Sequence, residues 1–161
     1  VVQINFKDAL VQEIKDNFPD LLEEIANICK EVYMMEYTIG DLFDRKPPLV
    51  RTLMQNYGTD VRRKEDADYW VKKWIQKYWE RLGMSDVIVD DVRFANEAKA
   101  IKNRDGILIR LERTDLEATD QHASEVEQQS IECDYTITCG AGELDKLESE
   151  LVKILSATIK E

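Results

Sequence analysis

Positive charge is in short supply in this chain. Its 161 residues hold 22 Lys and Arg against 33 Asp and Glu, a formal net charge of -11 at pH 7. Nucleic acids and anionic membranes both reward a basic footprint, so neither is expected as a partner. Cysteine is scarce too. Cys29, Cys133 and Cys139 are odd in number with no CxxC spacing, which argues for reduced core thiols and against a disulfide framework or thiolate metal site. The single histidine, His122, has no partner at metal-ligand spacing, so zinc is not expected. No Ser-His-Asp or Cys-His arrangement offers a nucleophile. No apolar stretch approaches the ~20 residues of a bilayer span, and no signal-peptide pattern opens the chain; the expected location is the cytoplasm. Repeats, low-complexity tracts and obvious linkers are also missing. With 43% hydrophobic and 34% charged residues, the composition fits one folded domain over 1–161, large enough to bury a core.

What is present is most informative at Val87-Ile88-Val89-Asp90-Asp91-Val92-Arg93-Phe94-Ala95-Asn96-Glu97. A short β-branched run ends abruptly in two carboxylates, an arginine and an Asn-Glu pair. Such a run reads as a parallel strand buried on both faces. In open α/β sheets ligands bind beyond the carboxyl ends of these strands. Asp90, Asp91 and Arg93 are therefore expected at that rim, a carboxylate for a divalent cation beside a guanidinium for a phosphate. A solvated, charged turn that starts a helix is the plainer alternative.

Along the chain, 1–6 reads as a strand. Asp8 can cap a helix to about Asn17, and Pro19 and Asp20 open a second one with Leu21, Leu22, Ile25, Ile28, Cys29 and Val32 on its apolar face. Residues 33–50 read as loop and turn before a helix near Leu49–Tyr57. A helix from Asp66 to about Leu82, stopped by Gly83, carries the stripe Trp70, Val71, Trp74, Tyr78 and Leu82. That stripe is better read as core packing than as a base-stacking platform. Strands are expected at 87–91, 106–111 and 134–138, with a helix through about Lys102 and a last helix placing Leu144, Leu147, Leu151, Ile154 and Leu155 inward. Residues 112–130 read as a polar, lid-like excursion. From residue 87 the order β-α-β-loop-β-α predicts a parallel sheet flanked by helices.

Three smaller clusters stand beside the rim. Arg51 and Gln55 are spaced i, i+4 on one helical face, where a guanidinium can clamp a phosphate and an amide can read a base edge; an exposed helix face is the plainer reading. Arg110 and Arg113 follow the Ile107 strand toward the same rim. His122-Ala123-Ser124-Glu125 fits either a loop that closes over substrate or an inert surface stretch.

Together these pieces resemble the bacteriophage-type deoxynucleoside monophosphate kinase family, a branch of the P-loop kinases. The resemblance rests on Arg51-Thr52-Leu53-Met54-Gln55 with Gly58-Thr59-Asp60, on Asp68-Tyr69-Trp70-Val71, and on the Asp90-to-Ala98 block. It continues through Gly106 to Arg113, His122 to Glu125, and Asp134-Tyr135 with its glycine turn and terminal helix. It implies a three-layer α/β fold, with a mainly parallel sheet flanked by helices, and ATP-dependent phosphorylation of deoxynucleoside monophosphates with Mg²⁺. Arg93 would hold the acceptor phosphate as the principal catalytic cation, and Asp90 or Asp91 would organise the metal through water. Arg51, Gln55 and Gly58 would grip acceptor phosphate and base, with Asn96 and Glu97 supporting that wall. Arg113, His122 and Glu125 would form the lid side, and Gly140 to Gly142 would lie near the ATP base. The implied partners are small-molecule nucleotides, with a homodimer compatible and a phage-infected bacterium as the natural setting.

One departure from the family stands out. Members open with a strand, a GxxxxGK loop followed by Ser or Thr, and a helix, and this sequence has no such motif. It has no initiator Met and starts inside an apolar stretch at Val1, just where the family match begins. The expectation is a longer polypeptide whose first strand, loop and helix are missing here. Their loss would leave the strands beginning at Val87 and Gly106 without a shared neighbour. The chain as written is then expected to be inactive. The alternative function is that of a nucleotide-binding or structural assembly relative that lacks both the loop and kinase activity.

Overall fold

The computed structural model describes residues 1–80, 85–115 and 123–158, with backbone only for 123–126. Two compact units emerge, Val1–Val92 and Arg93–Glu161. Both mix helices with short parallel strands, so the chain is α/β.

In the first unit β1 (Val2–Gln3) pairs in parallel with β2 (Val87–Ile88), in the register Val2 to Val87 and Gln3 to Ile88. Both strands are shorter than the sequence predicts, for a local reason. Asn5 ends β1 with φ -97° and ψ 153° and caps α1 (Phe6–Asn17). The Asp90 N–H donates to the Asn5 side chain at 3.2 Å, so it leaves the ladder. The expected cap at Asp8 is corrected as well: Asp8 lies in the first turn and reaches back to accept the Asn5 N–H at 3.1 Å.

The helices α2 (Pro19–Tyr33), α3 (Ile39–Arg45), α4 (Pro48–Gln55) and α5 (Tyr69–Trp79) complete this unit, with a π-helical segment at Asn56–Arg63. Proline at the first position of α2 and α4 fits the φ a helix start requires. Buried Leu22, Ile25 and Cys29 recur at helical spacing on α2, whereas Leu21, Ile28 and Val32 of the expected apolar face are exposed. A stripe six residues wide is more than one neighbouring layer can cover. Helix α3 replaces the expected loop, because Thr38 and Asp41 cap each other: the Asp41 N–H donates to Thr38 Oγ1 at 3.1 Å and Asp41 accepts the Thr38 N–H at 2.9 Å. Helix α5 starts three residues later than expected, since the Tyr69 N–H turns back to the Asp66 carbonyl. Its expected end at Leu82 and Gly83 lies outside the described residues. Trp70 and Trp74 are core residues. Their indole N–H groups donate to the carbonyls of Gly58 at 3.0 Å and Ile4 at 2.9 Å.

A half-buried polar knot fastens the π segment to α1 and α5. Glu13 accepts from the Tyr57 hydroxyl and Arg62 Nε through Oε1 and from the Tyr69 hydroxyl through Oε2, each at 2.7 Å. The Arg62 guanidinium lies over both tyrosine rings, 5.2 and 5.1 Å from their centroids. Burial pushes the Glu13 carboxyl up, but the two hydroxyls and the guanidinium outweigh it and hold the group below the ordinary glutamate range. An acid whose folded-state pKa is depressed contributes stability above its unfolded value and loses it as pH falls through the folded one. Glu13→Gln should therefore cost about 2 kcal/mol near neutral pH, and the deficit should shrink on acidification below the glutamate range. Urea midpoints of both proteins across pH 3–7 check this, and a deficit independent of pH would contradict it.

The second unit holds α6 (Ala95–Lys102), β3 (Ile109–Arg113), α7 (Ala123–Ser130), β4 (Tyr135–Cys139) and α8 (Leu144–Thr158). Strands β3 and β4 pair in parallel, from Ile109 with Tyr135 to Arg113 with Cys139. Residues 106–108 are not in the ladder as expected. The Gly106 N–H closes the turn on the Ile101 carbonyl, and the Leu108 N–H donates to Asp134 at 2.8 Å. A Cβ on Gly106 would stand 2.4 Å from Ile101 Cγ2, so only glycine fits there. The polar excursion expected at 112–130 carries the end of β3 and all of α7.

Two expectations are corrected at the level of the sheet. Among the described residues the four strands form two separate two-stranded ladders, β1-β2 and β3-β4, and not one continuous sheet. Helix α8 buries none of its residues fully, and Leu144 and Leu155 are exposed. Two strands are too narrow a surface to cover its whole apolar stripe.

Candidate functional site

The carboxyl ends of β1 and β2 lie side by side because the pair is parallel, and the helix start of α1 follows one of them directly. Asp90 and Asp91 come off the end of β2 and take different tasks there. Asp91 is partly buried and accepts the N–H groups of Phe6 at 3.0 Å and Lys7 at 2.8 Å, satisfying two donors that a helix start leaves open. Burial raises its pKa above the ordinary aspartate value, against the pull of those two N–H donors. Asp90 is more open. It accepts the Gln3 amide at 2.7 Å through Oδ2, and its Oδ1 lies 3.5 Å from Lys7 Nζ.

Arg51 and Gln55 lie on one face of α4, one turn apart, as their spacing predicts. Arg51 is exposed, and its Nε donates to the Lys46 carbonyl at 3.3 Å. Gln55 is partly buried at the junction with the π segment. Gly58 is buried inside that segment. A Cβ there would stand 3.1 Å from Leu10, and its carbonyl receives the Trp70 indole, so its contacts are internal.

In the second unit Arg93 is exposed just before α6. Its backbone is fixed: buried Glu97 accepts the N–H of Arg93 at 2.8 Å and of Phe94 at 3.1 Å. Glu97 thus shapes the turn that presents Arg93. The next free donor, the Ala95 N–H, is taken by Glu127 of α7 at 2.8 Å. Asn96 is partly buried in the first turn of α6. Arg110 turns away from the strand end and donates to the carbonyls of Gln128 and Ile131, tying down the end of α7. Arg113 is exposed and paired with Asp115, which raises its pKa. Gly140 and Gly142 form the turn between β4 and α8. There Glu143 accepts the Gly140 N–H at 2.7 Å, and Gly142 takes φ +80°. His122 and the Glu125 side chain lie outside the described residues.

Among the described residues no three His, Cys, Asp or Glu side chains gather as a metal site. None of their helices is long and apolar enough to cross a membrane. The sequence reading missed Gln3, Asn5 and Lys7, which complete the polar rim around Asp90. Asn5 left a signal as a residue type that caps helices, whereas Lys7 left none, since a cap at Asp8 would set it ahead of the helix.

The family model for deoxynucleotide monophosphate kinase matches residues 8–151. The chain belongs to that family. A protein of Acanthamoeba polyphaga mimivirus, provisionally named a deoxynucleotide monophosphate kinase, is 26% identical over 159 residues, covering 86% of this chain and 81% of its own. The deoxynucleotide monophosphate kinase of Escherichia phage RB69 is 36% identical over 110 residues, covering 66% of this chain. This chain spans only 44% of that phage kinase. No solved structure matches the chain. The family match takes in Asp90, Asp91 and Arg93.

Proposed function

We propose that the chain carries the acceptor side of a kinase that transfers the γ-phosphoryl group of ATP to a deoxynucleoside monophosphate. An acceptor phosphate oxygen bonds to the γ-phosphorus, the bond to the β–γ bridging oxygen breaks, and ADP leaves as the diphosphate forms. The observation that carries this reading is the Asp90-Asp91-Val92-Arg93 turn, set at the carboxyl end of a parallel strand inside the stretch that matches the family model.

Roles follow from what each side chain already holds. Arg93, exposed on a backbone pinned by Glu97, grips the acceptor phosphate and offsets charge during transfer. Arg51 and Gln55 reach the acceptor phosphate and base from one face of α4. Gly58 stands with them in the first unit, while in the second unit Asn96 and buried Glu97 hold the turn that presents Arg93. Asp91 is committed to α1, which leaves Asp90 as the carboxylate for Mg²⁺. One open carboxylate fits that ion, which keeps several waters and binds through one or two carboxylates and the substrate phosphates. Mg²⁺ would neutralise charge on the phosphates. Arg113, His122 and Glu125 belong to the lid side and Gly140 to Gly142 to the ATP base. A three-layer fold of the P-loop kinase type accommodates both parallel pairs. The reaction belongs in the cytoplasm, where ATP and deoxynucleotides meet, with nucleotides rather than nucleic acid as partners and a homodimer as a compatible assembly.

The test is calorimetric titration of the chain with dAMP, dGMP, dCMP and dTMP. At least one should bind with saturation at one site per chain, and the matching deoxynucleoside should bind more weakly. Absence of binding by all four would overturn the reading.

A further inference from the structure

The rim around Asp90 contains a cation that neither the sequence pattern nor the roles above use. We propose that Lys7 is a further phosphate-binding residue of this site, its ammonium moving from Asp90 to the phosphate of a bound deoxynucleoside monophosphate. The inference rests on the reading of the rim as a monophosphate site.

Lys7 is the second residue of α1 and follows the end of β1 by four positions. A helix start is electropositive, so a lysine in the first turn is unfavourable on its own. Residues that break a local rule in this way concentrate where a ligand supplies the compensation. The compensation visible here is partial. Lys7 Nζ stands 3.5 Å from Asp90 Oδ1, while the amide of Gln3 holds the other oxygen at 2.7 Å. Lys72, Lys77 and Lys102 bond their carboxylates at 2.6, 3.0 and 2.7 Å, while Lys146 and Lys64 pair as loosely as Lys7, at 3.4 and 3.9 Å. The Lys7 side chain is 37% exposed and that of Asp90 is 55% exposed, so the pair can part at little cost.

The two ends of the residue behave differently. Its backbone N–H is anchored on Asp91 at 2.8 Å, which fixes where the side chain starts. Its ammonium is a compact point charge on a flexible stem, able to follow a phosphate oxygen where a rigid guanidinium fork could not. An incoming monophosphate also meets Asp90 and Asp91 in a chain of net charge -11. A cation at the rim offsets that repulsion, and Lys7 is the cation that β1, β2 and α1 place beside Asp90.

Calorimetric titration of wild type, Lys7→Met and Lys7→Arg with the best-bound deoxynucleoside monophosphate and with its parent deoxynucleoside decides the matter. Lys7→Met should weaken monophosphate binding about tenfold and leave deoxynucleoside binding and the melting temperature essentially unchanged. Lys7→Arg keeps the charge without the compact ammonium and should recover only part of the loss. Equal monophosphate affinity for wild type and Lys7→Met would overturn the role of Lys7 while the monophosphate site stands. Parallel loss of monophosphate and deoxynucleoside binding would make Lys7 a structural residue and overturn the proposal too. Failure of wild type to bind any monophosphate would remove the site itself, and this inference with it.

Discussion

Purified as these 161 residues and mixed with ATP, Mg²⁺ and any of the four common deoxynucleoside monophosphates, the chain is expected to give no detectable diphosphate. The reason lies on the donor side. No GxxxxGK stretch followed by Ser or Thr occurs in the sequence. Phosphoryl transfer asks little covalent chemistry of the protein and depends on positioning and on charge stabilisation. A phosphate loop supplies both, through backbone N–H groups aimed at the phosphates and a lysine beside them. Alignment of two reactants accounts for roughly 7–11 kcal/mol of a barrier, so a donor left unaligned lowers the rate by many orders of magnitude. The rim proposed for the acceptor does not use such a loop, which is why monophosphate binding is expected without turnover. Robust turnover by these 161 residues would instead mean that another loop cradles ATP, and the turn from Gly140 to Gly142 would be the first place to look.

The parts of the fold legible in the sequence are those decided by neighbours in the chain. The stripe of Trp70, Val71 and Trp74, the proline start of α2 and the parallel pairing implied by β-α-β order all follow from periodicity and caps. What was not legible depends on partners far away. Asn5 and Asp8 both suit a helix cap, and only the Asp90 N–H on the Asn5 side chain decides between them. Helix α3 hides in a stretch with Gly40 and two prolines, because its stability comes from the Thr38–Asp41 exchange and from burying Leu42 and Phe43. The same limit applied to the site. Two adjacent aspartates look equivalent as letters, yet one closes a helix start while the other stays open. Glu97 reads as a wall residue and proves to be buried beneath the backbone of Arg93. The knot of Glu13, Tyr57, Arg62 and Tyr69 was invisible, since its members are up to 56 positions apart.

Arg93→Ala is expected to weaken deoxynucleoside monophosphate affinity at least tenfold, equivalent to about 1.4 kcal/mol, with little change in melting temperature. Arg93 is exposed, so its removal opens no cavity. The backbone bond to Glu97 that shapes the turn does not involve the side chain and survives the substitution. What binding loses is a guanidinium fork on a phosphate, a charge-assisted interaction of about 1.5–3 kcal/mol. Arg93→Lys keeps the charge but not the planar pair of donors, so it should fall between the two. Arg110 supplies the comparison within the same unit. Its guanidinium holds the carbonyls of Gln128 and Ile131, so Arg110→Ala should lower the melting temperature and leave the affinity of the folded protein near that of wild type. Calorimetric titration beside thermal melts separates the two patterns. If the patterns are exchanged, with Arg93→Ala unfolding the protein and sparing affinity, then Arg93 is a structural residue and the acceptor phosphate is held elsewhere on the rim.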